Sequence, residues 1–367
     1  MARAARDGEK LGFIGGGTQL ELGAPPTGLD AVIRTEGMAR ILEHAPADMV
    51  VIAEAGCTIA AIQAAVGAHG QRLAIDPPRP ERATIGGVIA TGGFGPLRAR
   101  YGAIRDLIIG VTLIRADGTV ARGGGKVVKN VAGFDLPKVA CGSLGTLGMI
   151  AAAAFRLHPL PEVSRTVWLR DLAAAQIIAL MAAWRHAQLE PTSAVAIAPS
   201  AHSADARAVK FELGICFEGF GKGVDDQVAR LQALADTPAE LLDDAATRAF
   251  RARHDAVRTA GPLRVRIAAL PSQLPVIAPL ATRLGAFTWY PTLGLGVAGG
   301  EAVPAGELVA ARAQLAGGSL VIEAGADLSA DLDPWGPPPA SFPVMQQLKR
   351  RFDPGGRLNP GRFVGGL

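Results

Sequence analysis

Three stretches of the chain put glycines beside hydrogen-bonding residues: GGGT at 15–18, ATIGGVIATGGFG at 83–95, and GGKVVKNVAGFDLPKVACGSLGTLG at 124–148. The last holds six glycines, with Lys129, Asn130 and Asp135 standing between them. A backbone without Cβ atoms can do two kinds of chemistry. Its successive N–H groups can converge on an anion, and a flat ring can approach the main chain without collision. Three such loops, spread from residue 15 to residue 148, suit a long ligand with a diphosphate centre and a planar end.

Other chemistries find little support. The G-x-G-x-x-G spacing occurs once, as GLGVAG at 294–299, but it follows Pro291 and opens no recognisable helix, so it reads as a turn. No G-x-x-x-x-G-K-[ST] occurs, which removes P-loop chemistry. CGSLG lacks the first glycine of a nucleophile elbow and has no His–Asp pair with it, so Ser143 reads as a loop hydrogen-bonder. Cys57, Cys141 and Cys216 lie far apart without a C-x-x-C, and the six histidines form no H-x-H. Neither a zinc site nor an iron–sulfur cluster is expected from this chain alone, nor a metal-dependent mechanism. Arg264 and Arg266 of PLRVRIAAL share one strand face, and His254 with Asp255 sits in an Arg-rich helix. Both read as solvated surface.

The elements that must position the glycines follow from periodicity. ARAARDGEK reads as the end of an amphipathic helix, followed by the strand LGFI, and implies a preceding strand and turn outside this sequence. MVVIAEAG reads as a strand, TIAAIQAAVGAHG as a helix with apolar residues at helical spacing, and QRLAIDPP as an extended exit. From ATIGGVIATGGFG through LIIGVTLIRADGTVARGG the pattern turns to strands joined by an Asp-Gly turn. The two prolines of FRLHPLP mark a boundary. Strands and helices then alternate through 162–330, and after the Pro-rich DPWGPPPASFP comes a last helix, VMQQLKRRF. Lys349, Arg350 and Arg351 fall in its final turn, where the helix dipole favours cations. At 367 residues the chain has room for two cores. The domains are expected at 1–158, 159–335 and 336–367, the last returning to the first. A net charge of +4, with no basic run, argues against nucleic acid. No apolar run reaches the length of a membrane span, and MARAARDGEK is not a signal peptide. A cytoplasmic protein is expected, with docking at the inner membrane only through a complex.

The run from PPRPERATIGG to GSLGTLGMI closely resembles the FAD-binding domain of the vanillyl alcohol oxidase / p-cresol methylhydroxylase (PCMH) type. Within it, GGKVVKNVAGFDL and GSLGTLG look most like the FAD-binding subunit of glycolate oxidase, and the tail LKRRFDPGGRLNPGRF fits that family's C-terminal return. The resemblance runs over 11–158 and 343–363 and implies an α+β fold, a two-subdomain FAD-binding domain with a smaller α+β cap. It implies that Gly15, Gly16, Gly17, Thr18, Gln19 and Leu20 form a first pyrophosphate loop. Pro77, Thr84, Gly86, Gly87, Ala90, Thr91, Gly93 and Gly95 would hold the diphosphate and ribityl chain from the other side. Asn130, Gly133, Gly142 and the Gly145–Ile150 segment, with Gly145, Gly148 and Ile150 named in it, would line the flavin and adenosine ends. Three departures stand out. Ile14 replaces an Arg common before the first loop, so that one contact to the phosphates is either lost or supplied by Arg100. Relatives with covalent flavin use a His in the first loop, whereas the first His here is His44, so non-covalent FAD is expected. Leu144 stands where self-sufficient 2-hydroxy-acid dehydrogenases carry an acidic residue.

Oxidising a 2-hydroxy acid needs a cationic grip on the carboxylate and a base near the hydroxyl. The segment 162–330 shows no cluster of His and acidic residues for that task. The expectation is therefore an FAD-binding subunit of a glycolate oxidase-like complex, partnered by a larger flavin subunit and an iron–sulfur subunit, with a small 2-hydroxy acid as the complex's substrate. The alternatives are a self-sufficient FAD-linked 2-hydroxy-acid oxidoreductase and a flavin-less scaffold. No catalytic residue is assigned.

Overall fold

The computed structural model describes residues 1–126, 135–200, 209–315, 317–325 and 332–367. By its internal contacts the chain divides into two units. One joins Met1–Leu160 to Asp333–Leu367, and the other is Pro161–Leu332.

The first unit opens with a short helix, Ala2–Asp7, closed by Gly8 in the left-handed conformation. Strands β1 (Leu11–Ile14) and β2 (Ala31–Arg34) pair in parallel. Next come β3 (Ile41–Ala45), β4 (Val50–Glu54), α1 (Ile59–Gly67), α2 (Ile85–Thr91), β5 (Ile108–Ile114), β6 (Val120–Gly124) and β7 (Met149–Arg156). Strands β3 to β7 form one antiparallel sheet in the order β3-β4-β7-β5-β6. Alternate residues of three strands (Val51 and Ala53, Val111 and Leu113, Ala153 and Phe155) point to one face. There they meet Ile59, Ile62 and Val66 of α1 and Ile85, Val88 and Ile89 of α2. Spacings of three and four place those helical residues on one stripe, which is what lays both helices on the sheet.

One expectation fails here. Residues 85–91 are helix, not strand. Thr84 caps the helix, its Oγ1 accepting from Gly87 N–H at 3.4 Å, and the helical spacing of Ile85, Val88 and Ile89 outweighs the low helix propensity of Gly86 and Gly87. The Asp117-Gly118 turn does join β5 to β6: Gly118 takes φ 86, and the Asp117 carboxylate accepts from Thr119 N–H at 2.9 Å.

The second unit is β-rich. Its elements are β8 (Val163–Leu172), α3 (Ala174–His186), β9 (Ser193–Ala198), β10 (Phe211–Gly219), α4 (Gly221–Leu234), β11 (Ala239–Leu242), α5 (Asp244–Thr259), β12 (Leu263–Ala268), α6 (Leu274–Leu284), β13 (Ala286–Tyr290), β14 (Leu295–Gly300), α7 (Ala305–Ala313) and β15 (Ser319–Ala324). Eight strands form one sheet in the order β11-β8-β10-β9-β13-β14-β12-β15. Its core gathers Phe211, Leu213, Phe217, Val265, Phe287 and Trp289 under Trp184 of α3 and Ile277 of α6. In GLGVAG only Gly294 is a turn residue, at φ 64; the rest is strand β14.

The chain finishes in the first unit with α8 (Phe342–Phe352) and a tail whose Leu358 bridges in parallel to Leu11 of β1. Among the described residues no helix is long and apolar enough to cross a membrane. Nor, among them, do three or more His, Cys, Asp or Glu cluster where they could hold a metal ion.

Candidate functional site

The glycine stretches converge, within the first unit, on an open cleft with an empty volume of about 370 Å³. Of the residues expected at the site, Gly15, Gly86, Gly87, Ala90, Gly145, Gly148 and Ile150 line it. Met149 of the expected Gly145–Ile150 segment lines it as well, as do Ile14 and three residues that sequence reasoning missed, Phe13, Thr35 and Ala55. These three are strand or loop residues with no motif of their own; only closure of the fold brings them beside the glycines. Asn130 and Gly133 lie outside the described residues.

The glycines are bare for two different reasons. A Cβ on Gly16 would overlap the Arg82 carbonyl, one on Gly15 would overlap Thr84 Oγ1, and one on Gly95 would overlap Asp76. At Gly86 it would stand 2.7 Å from Ala55 Cβ, so this glycine lets α2 press on the loop after β4. Gly87 differs. Its Cβ would meet only Thr84 Oγ1, at 3.1 Å, and otherwise open space. Gly87 therefore presents bare main chain to the cleft, where a planar group can lie against it.

Polar capacity follows from which N–H groups are already bonded. Ile85 and Gly86 donate theirs to the carbonyls of Cys57 and Ala55, each at 2.8 Å. Among the described residues, no main-chain carbonyl takes the N–H of Gly16 or Gly17. Gly17 sits at φ 68, a conformation that turns successive N–H groups to one side, as in anion-binding backbone concavities. Arg82 Nη2 donates to the Gly16 carbonyl at 3.3 Å, putting a guanidinium beside this loop. Arg100 is exposed on the short helix Arg98–Tyr101 and does not line the cleft.

The remaining expected residues support the lining from behind. Thr91 Oγ1 donates to the Gly87 carbonyl at 2.8 Å. Gly142 and Leu144 donate their N–H groups to Ile89 and Ala90 at 2.9 and 2.8 Å, stitching the third loop to the end of α2. Gly93 faces Val88 and Thr91, and Pro77 is buried beside Asp76, whose carboxylate takes the N–H of Leu97 at 3.1 Å. Gln19 and Leu20 offer their carbonyls to Arg362 of the tail, and Thr18 stands half-buried just before them.

The cleft fits FAD. Its bare backbone admits a flat ring, and its apolar floor of Ile14, Ala55, Met149 and Ile150 suits an aromatic system; Gly16 and Gly17 do not line it but follow directly on Gly15, which does. Burial pushes the Cys141 thiol up to about 12 and raises Cys57 as well.

Two expectations about the second unit are overturned. His254 is not at the surface: it is 4% exposed, and its Nε2 stands 2.7 Å from the Tyr290 hydroxyl. Asp255 Oδ1 lies 3.1 Å from Nδ1 and can only accept, so Nδ1 carries the proton and Nε2 accepts from Tyr290. Burial pushes His254 below its ordinary value. Nor is the Arg264–Arg266 face simply solvated. Arg264 is buried, and Arg266 pairs with the largely buried Glu323 at 3.3 Å. Helix α5 packs on β13 and β14, covering what periodicity alone leaves open.

Known proteins resemble parts of this chain. Residues 1–124 match the family described as FAD binding domain. Glycolate oxidase subunit GlcE of Escherichia coli (strain K12) is 34% identical over 190 residues, 52% of this chain and 53% of that protein. D-lactate dehydrogenase of Archaeoglobus fulgidus is 40% identical over 147 residues, 40% of this chain and 32% of that one. Glycolate oxidase subunit GlcD of Bacillus subtilis (strain 168) is 35% identical over 153 residues, 42% and 33%. The matched part thus spans about half or less of these relatives. A solved structure of alkyldihydroxyacetonephosphate synthase superposes with a TM-score of 0.71 at 15% identity, covering 98% of this chain and 74% of that one. The chain carries an FAD-binding oxidoreductase domain of the PCMH type, related to those of the glycolate oxidase subunits, with FAD as its cofactor and a smaller β-rich cap.

Proposed function

We propose that the protein is an FAD-linked oxidoreductase of small 2-hydroxy acids that holds FAD non-covalently in the cleft between its glycine loops. One observation carries this reading: the main chain at Gly87 faces open space in a cleft that Gly15 and the Gly145–Ile150 segment also line. The names of several relatives support the substrate class, since glycolate, D-lactate and D-2-hydroxyglutarate are all 2-hydroxy acids. Bound FAD supplies the acceptor for the two electrons that leave the carbinol carbon. The chain's own residues do the holding: the N–H groups of Gly16 and Gly17 take phosphate oxygens, and Gly87 with Gly145–Ile150 fixes the plane of the ring and keeps water from one side.

A second reading makes the chain a subunit of a glycolate oxidase-like complex, beside a larger flavin subunit and an iron–sulfur subunit. On that reading it is cytoplasmic and meets the inner membrane only through the complex. What favours it is the reach of the match to GlcE, 190 residues against 147 and 153 for the other two relatives.

Anaerobic mixing of the purified, flavin-loaded chain with glycolate or D-lactate tests both. Bleaching of the flavin by the chain alone is the expected result. Bleaching only after partner subunits are added would favour the subunit. A chain that takes up no FAD would overturn both.

A further inference from the structure

The tail segment Asp353–Arg362 lines no part of the cleft, yet it is bonded to two of its glycine loops. Leu11 of β1 donates its N–H to the Arg357 carbonyl, and Asn359 donates its own to the Leu11 carbonyl, both at 2.8 Å. Strand β1 runs straight into Gly15–Gly17, and beyond that loop Arg362 Nη2 reaches the Leu20 carbonyl at 2.7 Å. On the other side, Asn359 Nδ2 donates to the Leu144 carbonyl at 2.7 Å, and Lys349 Nζ donates to the Thr146 carbonyl at 2.9 Å. Leu144 needs that support, because it sits at φ 50, where leucine is rarely found. The Asn359 amide also packs under Gly145, where a Cβ would stand 2.7 Å from Nδ2.

Lys349 is buried, and its ammonium uses all three of its protons: on Thr146, on the Leu358 carbonyl at 2.9 Å, and on Asp353 Oδ2 at 2.7 Å. The same carboxylate oxygen accepts from Leu358 N–H at 2.8 Å, so the end of α8 and the tail form one stiff block. A ligand that must touch both the first and the third loop binds better when their separation is set in advance, since no ordering is left to be done on binding.

We infer that Asn359 and Lys349 are positioning residues of the flavin site, holding the first and third glycine loops at one separation, so that tail docking and FAD binding are linked. The inference rests on the assignment of the cleft to FAD. Linkage is reciprocal, so FAD must also tighten the tail that it does not touch.

The test uses the full chain. Asn359→Gly removes the amide but keeps a residue at ease at φ 42. The FAD Kd, read by flavin fluorescence, should rise about tenfold or more, and the visible circular dichroism of the remaining bound flavin should change. Lys349→Met combined with Asp353→Asn should do the same without leaving a buried carboxylate unpaired. In the wild-type chain, FAD should slow amide hydrogen exchange across residues 353–362. A purely structural tail predicts a lower urea midpoint for the apoprotein variants with wild-type Kd and flavin spectrum. That result, or exchange in 353–362 indifferent to FAD, overturns the inference while the cofactor assignment stands. A wild-type chain that binds no FAD overturns both.

Discussion

The two units keep their polar functional groups in opposite ways. In the first, the groups that can act are backbone atoms in loops, exposed because glycines stand there. In the second they are side chains, and the sheet and α5 close over them: His254 against Tyr290, Arg266 against Glu323. A site made of main chain leaves a mark in the sequence, because only one residue type tolerates it. A site made of buried side chains does not, because His, Tyr or Arg can stand anywhere until packing decides. The FAD binding domain match, over residues 1–124, falls within the first unit.

The comparison breaks most sharply at two adjacent glycines. Gly87→Val should abolish flavin retention while the fold persists, because its side chain enters the cleft and meets only Thr84 Oγ1 on the protein side. The FAD-to-protein ratio after gel filtration measures this; a stoichiometric ratio would mean that the ring does not lie against Gly87. Gly86→Val should act on stability first, lowering it by about 1–3 kcal/mol through overpacking against Ala55. Equilibrium urea unfolding of the two apoproteins should therefore rank Gly86→Val below Gly87→Val, and the reverse order would erase the distinction.

A smaller effect belongs to the second unit. Burial holds His254 neutral, below its ordinary value of 6.5. The unfolded chain then binds a proton that the folded chain refuses, so stability is fully present above pH 6.5 and falls as pH drops from there toward the depressed folded value. One such group contributes a slope of at most about 1.4 kcal/mol per pH unit. His158, lowered by burial and by Arg156 and Arg72, has the same sign, so the informative quantity is a difference. His254→Gln should flatten the slope of urea midpoint against pH between 5 and 7; an unchanged slope would place the titration elsewhere.

The smallest effect is expected at Cys141. With its thiol pushed up to about 12, Cys141→Ser should leave flavin content unchanged, and acid precipitation should release the yellow colour into the supernatant. Colour that stays with the pellet of the wild-type chain but not of the variant would show a thiol bond to the flavin.

How far the fold could be read depended on what kind of signal each element carried. Strand β4 and helix α1 were legible because a short apolar run at 50–53 reads as a buried strand and helical spacing at Ile59, Ile62 and Val66 points to one buried face. The α+β PCMH-type fold and its FAD were legible through the resemblance that the ordered run at 77–150 carries. Helix α2 was misread because seven residues with two glycines carry too little periodicity, and the deciding contact is with Ala55, thirty residues earlier in the chain. Lys349 looked like one of three cations at a helix end, and only its neighbours Thr146 and Leu358 distinguish it from Arg350 and Arg351.

The amino-acid order pointed to a long ligand with a diphosphate centre and a planar end, and its resemblance to a known family supplied the class of fold and FAD. Tertiary structure decided which of the glycines faces open space and which packs, that His254 is buried, and that a tail more than two hundred residues away is bonded to the third loop. The reason is physical. A glycine's freedom is a property of the residue, but the atom that occupies the space beside it, and the partner that satisfies a buried charge, come from chain segments whose approach no local pattern records.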